Sequence, residues 1–486
     1  MRRGRWLLPL VLALGCAPGA RKDGERPDAV VGRVRAPPQV FGRAPEDASW
    51  LRAPPPPLAP RPLAEPPVVE RRLSNGVRVL VSERREFPSV GLAFALDRGV
   101  CDGGAAATLY ALGLGGSPGR TRSDNFGYLY RLGVDHHVRV TDDAVIVGAS
   151  AFPPLLASAI SRLAPLFFAP ALAPEDVARA RARWNARLTS EPRSVRLADR
   201  ALRTALFGDG GYGSTLVDPS DVAAEPDVRV REFYRAALSP RHVSVVVVGD
   251  TTADVAVALL ERYTKGLPRA EVPTSGCAAL PAPPISDAVR IVDEPGAAQS
   301  KVRIGFAGVP AGHADGPALD VLSAALGSSL SSRLNLKIRS EHGLTYGVTM
   351  TSSPLRSHGL VDVAASVETE RTAEALRGIL AELERAAAVP LEASELAHAR
   401  GNALVGPGTH LDAAEELAQA AAYGLPANAG ALRSRAIASV TAEALRALAG
   451  RYLAPQRRVI TVVGDASRIS GPLRELGIGD VVVLPR

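Results

Sequence analysis

The 486-residue sequence predicts an α+β protein built from two duplicated domains, each a mostly antiparallel sheet with helices packed on it. Two Val-rich endings carry the first part of that expectation. Tyr234 and Pro240 precede the apolar run Val243–Val248 and then Gly249-Asp250; Tyr452 and Pro455 precede a matching run over 459–463 and then Gly464-Asp465. The Pro, Gly and Asp pairs are each 215 positions apart, and Ala111-Leu112-Gly113 recurs as Ala325-Leu326-Gly327 at an offset of 214. A nearly constant offset across most of each half points to duplication. The second part comes from local signals: a hairpin turn, short apolar strands and separate helical stretches.

The first copy opens with Leu73-Ser74-Asn75-Gly76-Val77-Arg78-Val79. Asn-Gly between strand-like residues predicts a hairpin, because both positions tolerate positive φ. A strand at Ser89–Leu96 follows, then an Ala-rich helix at Gly104–Leu112, a strand at Ala144–Ala151 and a long helical stretch over Pro153–Leu188. Within that stretch Pro174 suits a first helical turn, and Glu175 and Asp176 sit well near a helix N-terminus. The second copy begins with strands at Val289–Val292 and Val302–Phe306, starts a helix around Asp315-Gly316-Pro317 and closes on the 459–463 strand.

The N-terminal 16 residues have a basic start, an apolar run from Trp6 to Leu14, and then Gly15-Cys16. That run is too short for a lasting span of a ~30 Å hydrocarbon layer, so it reads as an export signal. Ala13-Leu14-Gly15-Cys16 resembles a bacterial lipobox, which would make Cys16 a lipidated first residue in a bacterial cell envelope, facing the periplasm or exterior. An ordinary signal cut at Ala17 or Ala20 is the alternative. Residues 17–67 hold 13 of the 40 prolines and too few large apolar side chains to fold, and they read as a tether. The folded parts are then 68–265 and 286–486, joined by a Pro/Ala-rich linker at 266–285.

Of the formal charge of +7, three charges belong to Arg2, Arg3 and Arg5 and two to the excess of bases in the tether, which leaves +2 from Val68 onward. Without a basic stripe interleaved with aromatics, no nucleic-acid partner is expected. The arginines of the run Val177–Arg187 read as a solvated helix face. His136 and His137 are adjacent on a strand and would point to opposite faces, so they do not make a metal pair. Cys101 and Cys277 are too few for a disulfide framework, and their pairing is open.

The Leu-x-Asn-Gly-Val-x-Val opening, the paired Val-rich endings and the segment Leu326-Gly327-x4-Ser332-Arg333-Leu334-x4-Arg339-x3-Gly343-Leu344-x-Tyr346 together resemble the insulinase/pitrilysin family of zinc metallopeptidases over about residues 70–486. In that family a first-domain helix carries His-x-x-Glu-His, two zinc ligands and a general base. Here Ala107, Tyr110 and Ala111 stand at those positions. The third ligand, a Glu, would fall around 182–190, where Ala182–Ser190 contains no acid and Glu191 is a weak substitute. The resemblance therefore implies a non-catalytic subunit: no metal or cofactor bound by this chain, zinc held by a partner, and Arg339 and Tyr346 contacting peptide substrate across a shared chamber. Three other readings stand beside it. Arg339 could pair near Glu341 while Tyr346 packs in a core, and the chain could be a structural or peptide-binding envelope module. Autonomous zinc peptidase activity through unrecognised ligands is the weakest.

Overall fold

Strand-forming runs separated by turns give twelve strands among the described residues of the computed structural model, which are 66–264, 277 and 288–484. In the first half these are β1 (Val68–Arg72), β2 (Arg78–Glu83), β3 (Val90–Leu96), β4 (Asp135–Val140), β5 (Val145–Ala151) and β6 (Val243–Gly249). In the second they are β7 (Val289–Asp293), β8 (Gln299–Ala307), β9 (Thr345–Pro354), β10 (Gly359–Glu368), β11 (Arg458–Gly464) and β12 (Val481–Leu484). They form two six-stranded sheets in the orders β1-β2-β6-β3-β5-β4 and β12-β7-β11-β8-β10-β9. Five neighbours of each sheet correspond, from β2-β6-β3-β5-β4 to β7-β11-β8-β10-β9. The copies differ only at the outer edge, where β1 is antiparallel to β2 but β12 is parallel to β7. The α+β duplication expected from the sequence is the observed architecture. The signal with Cys16, the tether up to residue 65, and the linker apart from Cys277 lie outside the described residues.

The Asn-Gly hairpin forms as its residues dictate. Asn75 Oδ1 accepts from the Val77 amide at 3.1 Å, Gly76 takes φ +95°, and β1 pairs β2 in register. The Ala-rich helix starts earlier than expected, at Val100, and runs to Gly113 with a break at Gly104, whose φ of +51° is a glycine conformation. The long stretch over 153–188 is two helices, Leu156–Phe168 and Pro174–Ser190. Pro170 and Pro174 break it, since neither can donate the amide that would continue a helix.

Both central strands are apolar without alternation, and the packing shows why. Val243, Val245 and Val247 of β6 face the main first-half core, while Val246 and Val248 face Ala413, Ala414 and Ala418 of the helix His410–Ala422, which comes from the second half. Reciprocally, the first-half helix Arg193–Phe207 lays Leu202 and Leu206 on Val459, and Ala198 on Val463, of β11. A strand covered on both faces reads as a continuous apolar run, and each such buried valine contributes about 1.5 kcal/mol or more. Each half thus covers the other's sheet with one helix. Two glycines make room for the exchange. A Cβ on Gly91 of β3 would collide with the main chain at His410 and Leu411, and one on Gly305 of β8 with the side-chain ends of Leu202 and Leu206. Gly91 and Gly305 are themselves 214 positions apart.

A disulfide joins Cys101, at the start of the Ala-rich helix, to Cys277, with Cα atoms 5.4 Å apart. Ser357 Oγ donates to the Cys277 carbonyl at 3.3 Å, and the hydroxyl of buried Tyr212 donates to Asp143 at 2.8 Å beside it. The bridge therefore ties a first-half helix to a position in contact with the second half.

Candidate functional site

Ala107, Tyr110 and Ala111 share one face of the helix Val100–Gly113, as their spacing requires, and all three are fully buried. What fills that face is aromatic. Phe233 lies 5.6 Å from the Tyr110 ring and Tyr234 stacks on it at 5.8 Å, both from the helix Asp227–Ala237. A Cβ on Gly103, one turn earlier, would already meet the Phe233 ring. Tyr234 donates its hydroxyl to the Phe168 carbonyl at 2.9 Å, whereas the Tyr110 hydroxyl is buried with no hydrogen-bond partner. Burial pushes the Tyr110 phenol far above its ordinary pKa, and Tyr234 beside it adds to the shift. Two methyl groups and a neutral, enclosed phenol offer no ligand set for Zn²⁺. Glu191 is exposed just past the end of the helix Pro174–Ser190. These residues do not fit the metal of the resembled family.

His136, His137 and two arginines of the basic helix face meet neighbours, while Arg183 and Arg187 are exposed, as on a solvated face. His136 stacks on Phe126 at 4.4 Å on one face of β4, and His137 on the other meets Glu415 at 2.5 Å. They diverge as expected, but both are packed against neighbours and are not simply solvated. Arg179 pairs with Asp176 at 2.7 Å and Arg181 with Asp227 at 2.8 Å. Among the described residues no three His, Cys, Asp or Glu side chains converge in a way that could hold a metal ion.

Arg339 and Tyr346 are brought together. Arg339 lies on a π-helical turn, Asn335–Glu341, and Tyr346 is the second residue of β9. Gly343 at φ +60° turns the chain between them, and the Leu344 amide donates to the Ile338 carbonyl at 2.9 Å. The guanidinium carbon of Arg339 stands 5.2 Å from the Tyr346 ring centroid, within cation–π range. Tyr346 is 90% exposed, so it does not pack in a core. Nor does Arg339 pair with Glu341, which bonds Lys337 at 2.7 Å. Among the described residues Arg339 makes no ion pair.

Sequence reasoning missed what holds this pair. The buried Asn335 side chain donates to the Ser329 and Val348 carbonyls at 3.0 and 2.7 Å and accepts from the Val348 amide at 2.9 Å. It thereby clamps the π-helical turn to β9. Arg333 forks onto Glu395 with two bonds of 2.7 Å, which hold the Glu395 carboxyl below the usual range and fix the segment to the helix Ala393–Ala403. Nothing in the turn sequence, where Asn335 is one of several polar residues, marks it out as the clamp.

Fold and site define a class: a duplicated α+β peptidase-like protein whose metal-helix face is filled and whose second-half Arg/Tyr pair is presented outward. Comparisons agree. Residues 229–402 match the family model described as the peptidase M16 inactive domain. An uncharacterized zinc protease of Mycobacterium bovis is 29% identical over 208 residues, 42% of this chain and 47% of that protein, so the match spans about half the relative's length. Among solved structures, a peptidase M16 inactive domain from Pseudomonas fluorescens superposes with a TM-score of 0.74 at 19% identity, covering 82% of this chain and 98% of that one. A protease from Helicobacter pylori superposes equally well, at 17% identity over 82% and 99% of the two chains. The chain thus has the fold of M16 structures, and its residues 229–402 are similar to the inactive M16 domain.

Proposed function

We propose that this protein is a non-catalytic insulinase-like subunit that binds peptide and completes the chamber of a zinc-bearing partner. The observation that carries the reading is the contrast between the two halves. The face that would hold zinc is closed by Phe233 and Tyr234, while Arg339 is stacked on an exposed ring with no carboxylate partner among the described residues. Arg339 would donate to a substrate carbonyl or a developing oxyanion and the Tyr346 hydroxyl would add a second donor, with zinc and the general base supplied by the partner. In this reading Cys16 is lipidated and 17–67 tethers the folded part to a membrane in the bacterial envelope, with no nucleic-acid partner.

Co-expression with a zinc-bearing insulinase-like chain from the same operon tests the proposal. Peptide hydrolysis by the pair should fall at least tenfold with Arg339→Ala and less with Tyr346→Phe, with the complex intact by gel filtration. Hydrolysis unchanged by both substitutions would overturn the shared site. Recovery from envelope extracts without any zinc peptidase would favour the structural or peptide-binding module instead.

A further inference from the structure

Outside the peptidase-like features, a pocket of about 360 Å³ opens on the first half, lined by Arg120, Ser123, Asp124, Tyr128, Arg131 and Arg162. Three elements build it. A tight turn closed by reciprocal Ser117 and Arg120 main-chain bonds presents Arg120, the helix Arg122–Arg131 presents Ser123, Tyr128 and Arg131, and the helix Leu156–Phe168 presents Arg162. None of the three guanidinium groups makes an ion pair or hydrogen bond among the described residues, unlike those of Arg179 and Arg181 on the neighbouring basic helix. The Arg162 guanidinium carbon stands over the Tyr128 ring, 4.1 Å from its centroid, and its Nε–H is buried without a hydrogen-bond partner. The one acid on the wall, Asp124, does not neutralise the cluster by bonding to it. Its Oδ2 accepts from the Thr121 amide and hydroxyl at 2.9 and 2.8 Å, capping its own helix.

We propose that this pocket binds a phosphomonoester. Three guanidinium groups against one carboxylate leave a balance of two positive charges, which matches a phosphomonoester of charge about −2 and exceeds what a single carboxylate or phosphodiester would neutralise. Guanidinium forks suit the tetrahedral array of phosphate oxygens, and an arginine pinned on an aromatic ring loses little freedom on binding. The volume lies at the small end of ligand pockets, large enough for a phosphate with a short polar substituent. The same chemistry is offered by a free sugar- or glycerol-phosphate and by the headgroup of a lipid with a terminal phosphate. The site is independent of Arg339 and Tyr346 and of any peptidase partner.

Calorimetric titration of the full chain, carrying Cys16→Ser to remove acylation, with glycerol 3-phosphate tests the soluble source. Flotation with phosphatidic acid vesicles against phosphatidylcholine vesicles tests the lipid source. Arg131→Gln and Arg162→Gln should each weaken whichever interaction is found about tenfold, the equivalent of one charge-assisted contact, while Arg71→Gln should leave it unchanged. Arg120→Gln, on an exposed turn, serves should the Arg162 variant lose its fold. Saturable glycerol 3-phosphate binding sensitive to these arginines supports a free ligand, and retention on phosphatidic acid alone with the same sensitivity supports a headgroup. Absence of both, or binding indifferent to the pocket arginines, overturns the proposal.

Discussion

The carbonyl of His410 occupies the place that a Cβ on Gly91 would need. This contact seats the second-half helix on the first-half sheet, and what Gly91 meets there is main chain, which cannot step aside. At Gly305 the obstacles are the terminal methyls of Leu202 and Leu206, which can. Gly91→Ala should therefore destabilise the protein by about 1–3 kcal/mol, as overpacking does, and Gly305→Ala by less. Urea midpoints of the two variants check the order, and a reversed order would contradict the docking argument.

Reducing the Cys101–Cys277 bridge should lower stability by about 2–5 kcal/mol, because it closes a long loop and releases that restraint in the unfolded chain. The sequence separation is 176 residues. Thermal melts with and without reductant, repeated on Cys101→Ser/Cys277→Ser, make the measurement. A reductant effect that persists in the double variant would assign the loss elsewhere.

Arg303 of β8 stands between Asp362 of β10, at 2.9 Å, and Asp199 of the exchanged helix Arg193–Phe207. Burial raises the Asp362 carboxyl to about 6 despite Arg303, and its Oδ1 is buried without a hydrogen-bond partner. Burial raises Asp199 as well. For an acid whose folded pKa exceeds its unfolded one, the folded state binds the extra proton between the two values, so its contribution to stability declines as pH rises through that window. The decline runs from about pH 4 to about 6, and the Asp362 shift corresponds to roughly 3 kcal/mol. Asp362→Asn should therefore gain on wild type as pH goes from 4 to 7, and parallel stability curves for the two would refute the assignment.

Tyr110 carries a buried hydroxyl with no partner, yet its ring fills the space between Phe233 and Tyr234. Tyr110→Phe should be neutral or stabilising by about 1 kcal/mol, because it removes an unsatisfied polar group. Tyr110→Ala should cost about 3–5 kcal/mol by opening a cavity. Chemical denaturation separates the two. A large loss in the Phe variant would mean that the hydroxyl has a hidden partner, such as a buried water.

The duplication was legible because Val-rich central strands, their Gly-Asp ends and the Asn-Gly hairpin each have their own physical signature. Alanine has no donor atom wherever it points, so Ala107 and Ala111 needed no structure to be read as unable to bind a metal. The exchange of helices was not legible. Ala198, Leu202 and Leu206, like Ala414 and Ala418, make ordinary apolar helix faces, and nothing in such a face says which sheet it covers. Within the helical stretch expected over 153–188, the start at Pro174 was legible from its first-turn residues, but the end of the preceding helix at Phe168 was hidden by apolar periodicity. The Asn335 clamp was invisible because its bonds go to main-chain groups, which carry no residue code.

That clamp yields the last prediction. Asn335 is buried and joins the π-helical turn to β9, whereas Tyr346 is almost wholly exposed and Arg339 rests on its ring. Arg339→Ala and Tyr346→Phe should each change stability by no more than about 0.5 kcal/mol, as surface substitutions do. Asn335→Ala should cost about 1–3 kcal/mol, because it strands the Val348 amide and carbonyl. Under the proposed function, if Asn335→Ala also abolishes the pair-dependent peptide hydrolysis while Asn335→Asp, which keeps the acceptor, retains part of it, Asn335 acts by positioning the pair. Equal stability losses at all three positions would instead make Arg339 and Tyr346 part of the scaffold, since a side chain kept for a partner's substrate has no reason to hold its own fold together.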